Sequence, residues 1–398
     1  MQLSGWRVAA AFVGAGVSLA ACRHHSSARL PDAHTPGIEV LATAMIPPNA
    51  VFPQLRGTKF GGVSSIAYDA AHQELIGLSD DSENSRIFRM KYLEEPFRVV
   101  PVGVALLERG GGAPAKLDPE GLVLLPDGDI LVSSEGFGNE EPRIPPAVVE
   151  YKRDGRFVRQ LAVPSEFIPP EHGPLNHGVP NNQAFEALAL TPDGQSLWTG
   201  VETALVQDGM APTADHGSRT RLLQYRLEHG SFVPSREFVY EVDALPPMPS
   251  GPVGFSVSGL VDLLALSDRD FIALERAYVQ NTENPNRDVY RARLYRVSID
   301  GTAISPGQDS ISGRPDLVAV TKTLLLDLGS SRNLPRALAS LDNFEGIASV
   351  PTPPIRRSAV IPSLPKPRPT AILVSDDNFD DNQRTWFVKV GFDPALIP

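Results

Sequence analysis

A single cysteine, Cys22, stands among 398 residues, and it precedes every segment that reads as folded. The folded part therefore has neither a disulfide nor a thiol nucleophile. A basic excess is missing too: 36 Lys and Arg face 47 Asp and Glu, for a net charge of −11. A nucleic-acid backbone needs a basic footprint, so that partner class is excluded. The apolar run at residues 8–20 is too short to span a bilayer comfortably. No Gly-x-Ser-x-Gly elbow exists; Gly254-Phe255-Ser256-Val257-Ser258-Gly259 has the wrong spacing and follows no strand–helix turn. No spacing matches an EF-hand loop, and His172 and His177 fit no helical zinc motif.

Proline is plentiful at 38 residues and glycine at 33, which suits short strands joined by turns and long loops. Arg7 and the apolar run lead into Leu19-Ala20-Ala21-Cys22, which resembles a bacterial lipobox. Residues 1–21 are thus expected to be a lipoprotein signal peptide, with Cys22 lipidated and residues 22–36 a polar tether that includes His24 and His25. Arg23 is not the aspartate associated with inner-membrane retention. The expected address is therefore the cell envelope, anchored in the outer membrane and facing the periplasm.

From residue 37 to 393 a pattern repeats five times. An apolar strand opens near an acidic or small residue, turns back, and ends on a second acidic residue. The openings include Glu120-Gly121-Leu122, Glu186-Ala187-Leu188 and Glu345-Gly346-Ile347; the closings include Ser79-Asp80-Asp81, Ser134-Glu135, Val201-Glu202, Glu275-Arg276 and Ser375-Asp376-Asp377. Such units cannot bury an apolar face alone, so the pattern predicts an all-β propeller of four-stranded blades. Five blades are expected, with six open if a long loop hides a weak one. The last unit has only three strand-like runs, and residues 37–46 are expected to pair onto it and close the ring. Pro126-Asp127-Gly128, Pro192-Asp193-Gly194, Asp154-Gly155 and His229-Gly230 supply tight turns on one face. The long links then crowd the other. The Pro-rich insertion at 351–369 joins first and second strands of the last unit and is expected on the plain face, as a stiff spacer or a docking segment.

In this frame first strands start, and second strands finish, at the same elaborated face. Asp80, Glu135, Glu202, Glu275, Asp376 and Asp377 are the candidate metal ligands, and a hard divalent ion such as calcium is the natural partner for them. Glu120, Glu186, Glu345 and Arg276 are the candidate catalytic groups. Lys59 and Arg143 are further cations able to hold a phosphate oxygen or to pair with the acidic ring. The alternative for strand-start glutamates is structural: accepting backbone hydrogen bonds between blades.

The series Phe60-Gly61-Gly62-Val63-Ser64-Ser65, Leu117-Asp118-Pro119-Glu120-Gly121-Leu122, Phe185-Glu186-Ala187-Leu188, Leu274-Glu275-Arg276, Asn343-Phe344-Glu345-Gly346-Ile347-Ala348 and Val374-Ser375-Asp376-Asp377-Asn378-Phe379 resembles the phytase-like family known as "esterase-like activity of phytase". The resemblance runs from about residue 37 to 392. It implies an exported or envelope-bound bacterial propeller and a metal-dependent phosphoric ester hydrolase acting on a small phosphorylated or ester substrate. A non-catalytic envelope propeller that binds a protein, a glycan or a metal ion is the alternative.

Overall fold

Each expected strand run forms a strand in the computed structural model, which describes residues 37–247, 251–352 and 368–396. The signal peptide 1–21, Cys22, the tether and most of the Pro-rich insertion lie outside the described residues. Five four-stranded antiparallel sheets stand in a ring, which settles the count at five blades. The first holds β2 (Val63–Asp69), β3 (Glu74–Ser79), β4 (Arg86–Glu94) and β5 (Phe97–Leu106), followed by a small hairpin, β6 (Glu108–Arg109) and β7 (Ala113–Pro114). The second holds β8 (Pro119–Leu124), β9 (Ile130–Ser134), β10 (Ala147–Tyr151) and β11 (Phe157–Gln160). The third holds β12 (Phe185–Leu190), β13 (Ser196–Val201), β14 (Ser218–Glu228) and β15 (Ser231–Val242). The fourth holds β16 (Val253–Ala265), β17 (Asp270–Asn281), β18 (Val289–Ser298) and β19 (Thr321–Asp327).

The fifth is built from both chain ends. Strands β20 (Asn343–Val350), β21 (Thr370–Asp376) and β22 (Thr385–Phe392) are joined on the outside by β1 (Ile38–Ile46), which pairs with β22 from Ile38↔Phe392 to Ile46↔Thr385. The closing strand thus covers what would otherwise be an open edge.

Apolar side chains fill the space between each pair of neighbouring blades. Ile76, Leu78 and Ile87 meet Leu122, Ile130 and Val132 between the first two blades. Leu131 and Val148 meet Leu188 and Leu197 between the next two. Trp198 packs on Phe271 at 5.3 Å between the third and fourth. Comparable clusters join the fourth to the fifth and the fifth to the first. Because inner strands are covered on both faces, they read as apolar runs rather than alternating ones. That is why β3, β9 and β13 are buried along their whole length.

Two features depart from the expected plan. The link from β18 to β19 leaves on the plain face yet is long. It climbs the outer edge of the third blade, where Ile304 and Glu237 exchange backbone hydrogen bonds of 2.8 and 2.9 Å, and packs Ile304, Ile311 and Leu317 on Val239. An edge strand is thereby masked. Second, β16 and β17 extend well past the other inner strands and raise a two-stranded ribbon above the elaborated face.

Candidate functional site

All five innermost strands carry a bulge near their upper ends, between Val63 and Ser65, Pro119 and Leu122, Phe185 and Leu188, Leu260 and Asp262, and Phe344 and Gly346. A bulge puts two residues opposite one and re-aims side chains, a common device at the rim of a barrel. Here it falls on Glu120, Glu186 and Glu345. These three, with Asp80, Asp118, Glu202 and Asp376, put seven carboxylates around one cavity of about 340 Å³ at the channel mouth. The same lining contributes Asn182, Asn343, Asn378 and Gln383, and a single cation, Arg276.

Glu135 lies just beneath and joins two groups. Oxygens of Glu135, Glu186 and Glu202 all lie within 4.8 Å of one another, and so do those of Asp118, Glu120 and Glu135. Glu135 Oε1 also accepts the Ala184 N–H. Arg276 spans the channel, with Nη2 donating to Glu345 Oε1 at 2.8 Å and Nη1 lying 3.3 Å from Glu202 Oε1. The latter is an ion pair without hydrogen-bond geometry, and Glu202 Oε1 is left with no hydrogen-bond donor. Asp80 Oδ1 and Arg276 Nε are likewise buried without a partner. Asn343 Nδ2 holds Glu345 from the other side at 2.8 Å. Glycine is required at 259, since a Cβ there would sit 2.1 Å from Glu202 Cγ.

Burial raises the carboxyl pKa values throughout. The Asp80 carboxyl is pushed up to about 8 by burial and then by the charges of Glu345, Asp118, Asp377 and Asp81. Burial, with Glu186 and Glu345 nearby, holds Glu120 well above the usual carboxylate range. Glu186 is raised by burial and by Glu202 and Glu135, and Asp376 by burial and Asp80. Glu202 reaches only about 7, because the Arg276 charge opposes its burial. Arg276 itself is held above its ordinary value: burial lowers it, but Glu202, Glu345 and Glu186 more than offset that. Hard oxygen donors, packed too closely to ionise together and partly orphaned, fit a divalent cation.

Not every expected residue belongs here. Glu275 faces away from the funnel and accepts hydrogen bonds from Tyr240 Oη at 2.7 Å, the Asp243 N–H at 3.1 Å and Lys322 Nζ. The reason is register: Arg276 pairs with Gly259 beside the bulge, the place that Asp376 takes opposite Asn343. Glu275 occupies the outward position of Ser375. Asp377 is a clip, accepting from the Gly62 and Phe379 N–H groups at 2.8 and 3.1 Å and from Thr385 Oγ1 at 3.2 Å. Arg143 is spent on the carbonyls of Gly138, Pro170 and Gly173, and Lys59 lies over the Phe379 ring, 5.4 Å from its centroid. His172 and His177 pair with Glu141 and Asp309, each at 2.8 Å. Asp118 is the funnel residue that strand ends alone do not reveal. It stands just before β8, and the bulge at Glu120 turns that side chain toward it, so that both meet Glu135.

The structural role foreseen for strand-start glutamates is taken by other buried acids, by Glu135 through the Ala184 N–H and by Asp262. Asp262 is pushed up to about 8 by burial, and accepts the Ile347 and Leu263 N–H groups at 2.8 Å each, tying the fourth blade to the fifth.

The family model described as "Phytase-like: Esterase-like activity of phytase" matches residues 58–379. The chain belongs to this phytase-like family. An "Uncharacterized secreted protein" of Arthroderma benhamiae is 29% identical over 138 residues, covering 29% of this chain and 25% of that protein. The chain thus spans about a quarter of that relative's length. Among solved structures, an endo-arabinase from Bacteroides thetaiotaomicron is similar at 12% identity and a TM-score of 0.42, over 88% of this chain and 97% of that one. A luciferin-regenerating enzyme is similar at 10% identity and a TM-score of 0.38, over 90% and 96%.

Proposed function

We propose that this phytase-like protein is an exported, metal-dependent phosphoric ester hydrolase whose chemistry takes place in the funnel. The observation that carries the reading is a set of seven lining carboxylates offset by one guanidinium, with Glu202 Oε1 and Asp80 Oδ1 orphaned. Glu135, Glu186 and Glu202 would hold a divalent ion such as calcium, with Asp118 and Glu120 as further donors. A bound ion supplies a Lewis acid for a phosphoryl oxygen and lowers the pKa of a bound water. Arg276, whose Nε has no partner, is positioned to steady a phosphoryl oxygen while Glu345, itself held by Asn343, fixes its guanidinium. Asp80, whose carboxyl is raised first by burial, is the lining acid suited to give a proton to the leaving alcohol oxygen. Incubation of the purified protein with phytate, in calcium and in chelator, tests this. Calcium-dependent phosphate release is expected; no release in either condition overturns the reading.

Export agrees with the secreted relative and with the signal-like start. We place Cys22 as the lipidated first residue of the mature chain, anchored in the outer membrane and facing the periplasm. Cys22→Ser is expected to move the protein from the membrane fraction to the soluble one; an unchanged distribution removes the anchor.

A further inference from the structure

The raised ribbon of the fourth blade brings to the funnel a chemistry that a metal site does not use. Phe255, Val257, Tyr278 and Tyr290 all line the cavity. Val257 pairs with Tyr278, and Tyr278 with Tyr290, across three adjacent strands. Val257 pairs on the face that Arg276 and Tyr278 present to the channel, and Phe255, at a second bulge between Val253 and Ser256, turns its ring to the same side. The rings lean on one another, with centroids 4.8 Å apart for Tyr278 and Tyr290 and 6.3 Å for Phe255 and Tyr278. Phe255 is 57% exposed, so its ring is open to a ligand at the mouth. Acids outnumber the one nearby cation at the wall: Tyr278 Oη donates to Asp288 Oδ2 at 2.7 Å, and the Tyr290 hydroxyl is raised to about 12 by burial and then by the charges of Asp342 and Asp288, against Arg276, with Asp380 adding less.

A bare metal ion would use the carboxylates and ignore the rings. A neutral apolar group would use the rings and gain nothing from the charge. An alkylammonium uses both, because its diffuse charge is attracted to aromatic faces and its methyl groups need little hydration. We propose that the ribbon and the acidic rim form a subsite for an organic ammonium group, quaternary or highly substituted. The subsite does not depend on hydrolysis in the funnel below.

Calorimetric titration of the purified protein with choline tests it, beside 3,3-dimethylbutan-1-ol, the neutral isostere of the same shape. Choline is expected to bind saturably and more weakly as salt rises, while the neutral isostere fails to bind. Because Phe255 is largely exposed, Phe255→Ala is expected to fold and to weaken choline binding roughly fivefold to tenfold, and Phe255→Trp to retain it. Equal binding of choline and its isostere, no choline binding, or an unchanged affinity in Phe255→Ala would each overturn the proposal. Choline binding without phosphate release would keep the subsite and remove the hydrolase reading.

Discussion

At the scale of single residues, the funnel is an arrangement under tension without a counter-ion. Glu186 is buried, and its pKa is raised first by that burial and then by Glu202, Glu135 and Glu345. Such a group costs stability when ionised and returns it only when a cation offsets the repulsion. Glu186→Gln keeps the shape and deletes one charge. In chelator this variant is therefore expected to be more stable than the natural protein, by on the order of 1 kcal/mol. In calcium the order reverses, since the natural protein gains binding free energy and the variant gains less. Thermal melts of both proteins in both buffers check this; a variant less stable in chelator and equally stabilised by calcium contradicts it. The sequence pattern is enough to gather Glu120, Glu186, Glu202 and Glu345 at one mouth, because strand direction alone decides which ends meet. It is not enough to place Glu275, since that acid stands one residue before the funnel position, which Arg276 takes, and neighbouring positions on a strand face opposite ways.

At the scale of elements, blade number and closure are legible for a physical reason. Strands buried on both faces are apolar throughout, and the glycine-containing turns at 126–128, 154–155, 192–194 and 229–230 cut them at the right lengths. The unpaired run at residues 38–46 has nowhere to go but the open edge of the last blade, and there it lies. Bulges leave no such trace. Each needs an extra residue on one strand, and in sequence that residue is indistinguishable from its neighbours. The ribbon is hidden for a related reason: Val253–Val257 and Ala277–Asn281 continue the strands without a break, so only their pairing shows that they rise above the rim. The climb of residues 299–320 along the third blade rests on the Arg221 guanidinium. That group is wholly buried, and it bonds Asp208 at 2.7 and 2.8 Å, Glu237 at 2.8 Å and the Gln308 carbonyl at 2.7 Å. A lone arginine in a strand gives no hint of such a partner set.

At the scale of the whole molecule, the balance of shifted groups sets how stability follows pH. Asp80 and Asp262 have folded pKa values of about 8 against 3.8 when free, and Glu237 about 9 against 4.5. The folded state therefore binds more protons than the unfolded one between about pH 4 and pH 8. Stability must fall as pH rises through that window. Asp243 works in the opposite sense and lower down. Burial opposes its charge, but Lys322 and Tyr295 hold it at about 2, so its contribution is present above pH 4 and lost in stronger acid. The two trends meet near pH 4 to 5, where the metal-free protein is expected to be most stable. A divalent ion binds the ionised funnel and so should flatten the upper slope, while Asp262 and Glu237, outside the cavity lining, keep part of it. Melting temperatures measured from pH 4 to 9 in chelator and again in calcium decide the matter. A melting temperature that climbs with pH in chelator would mean that the acids of the funnel are already compensated within the protein, and that no cation is called for.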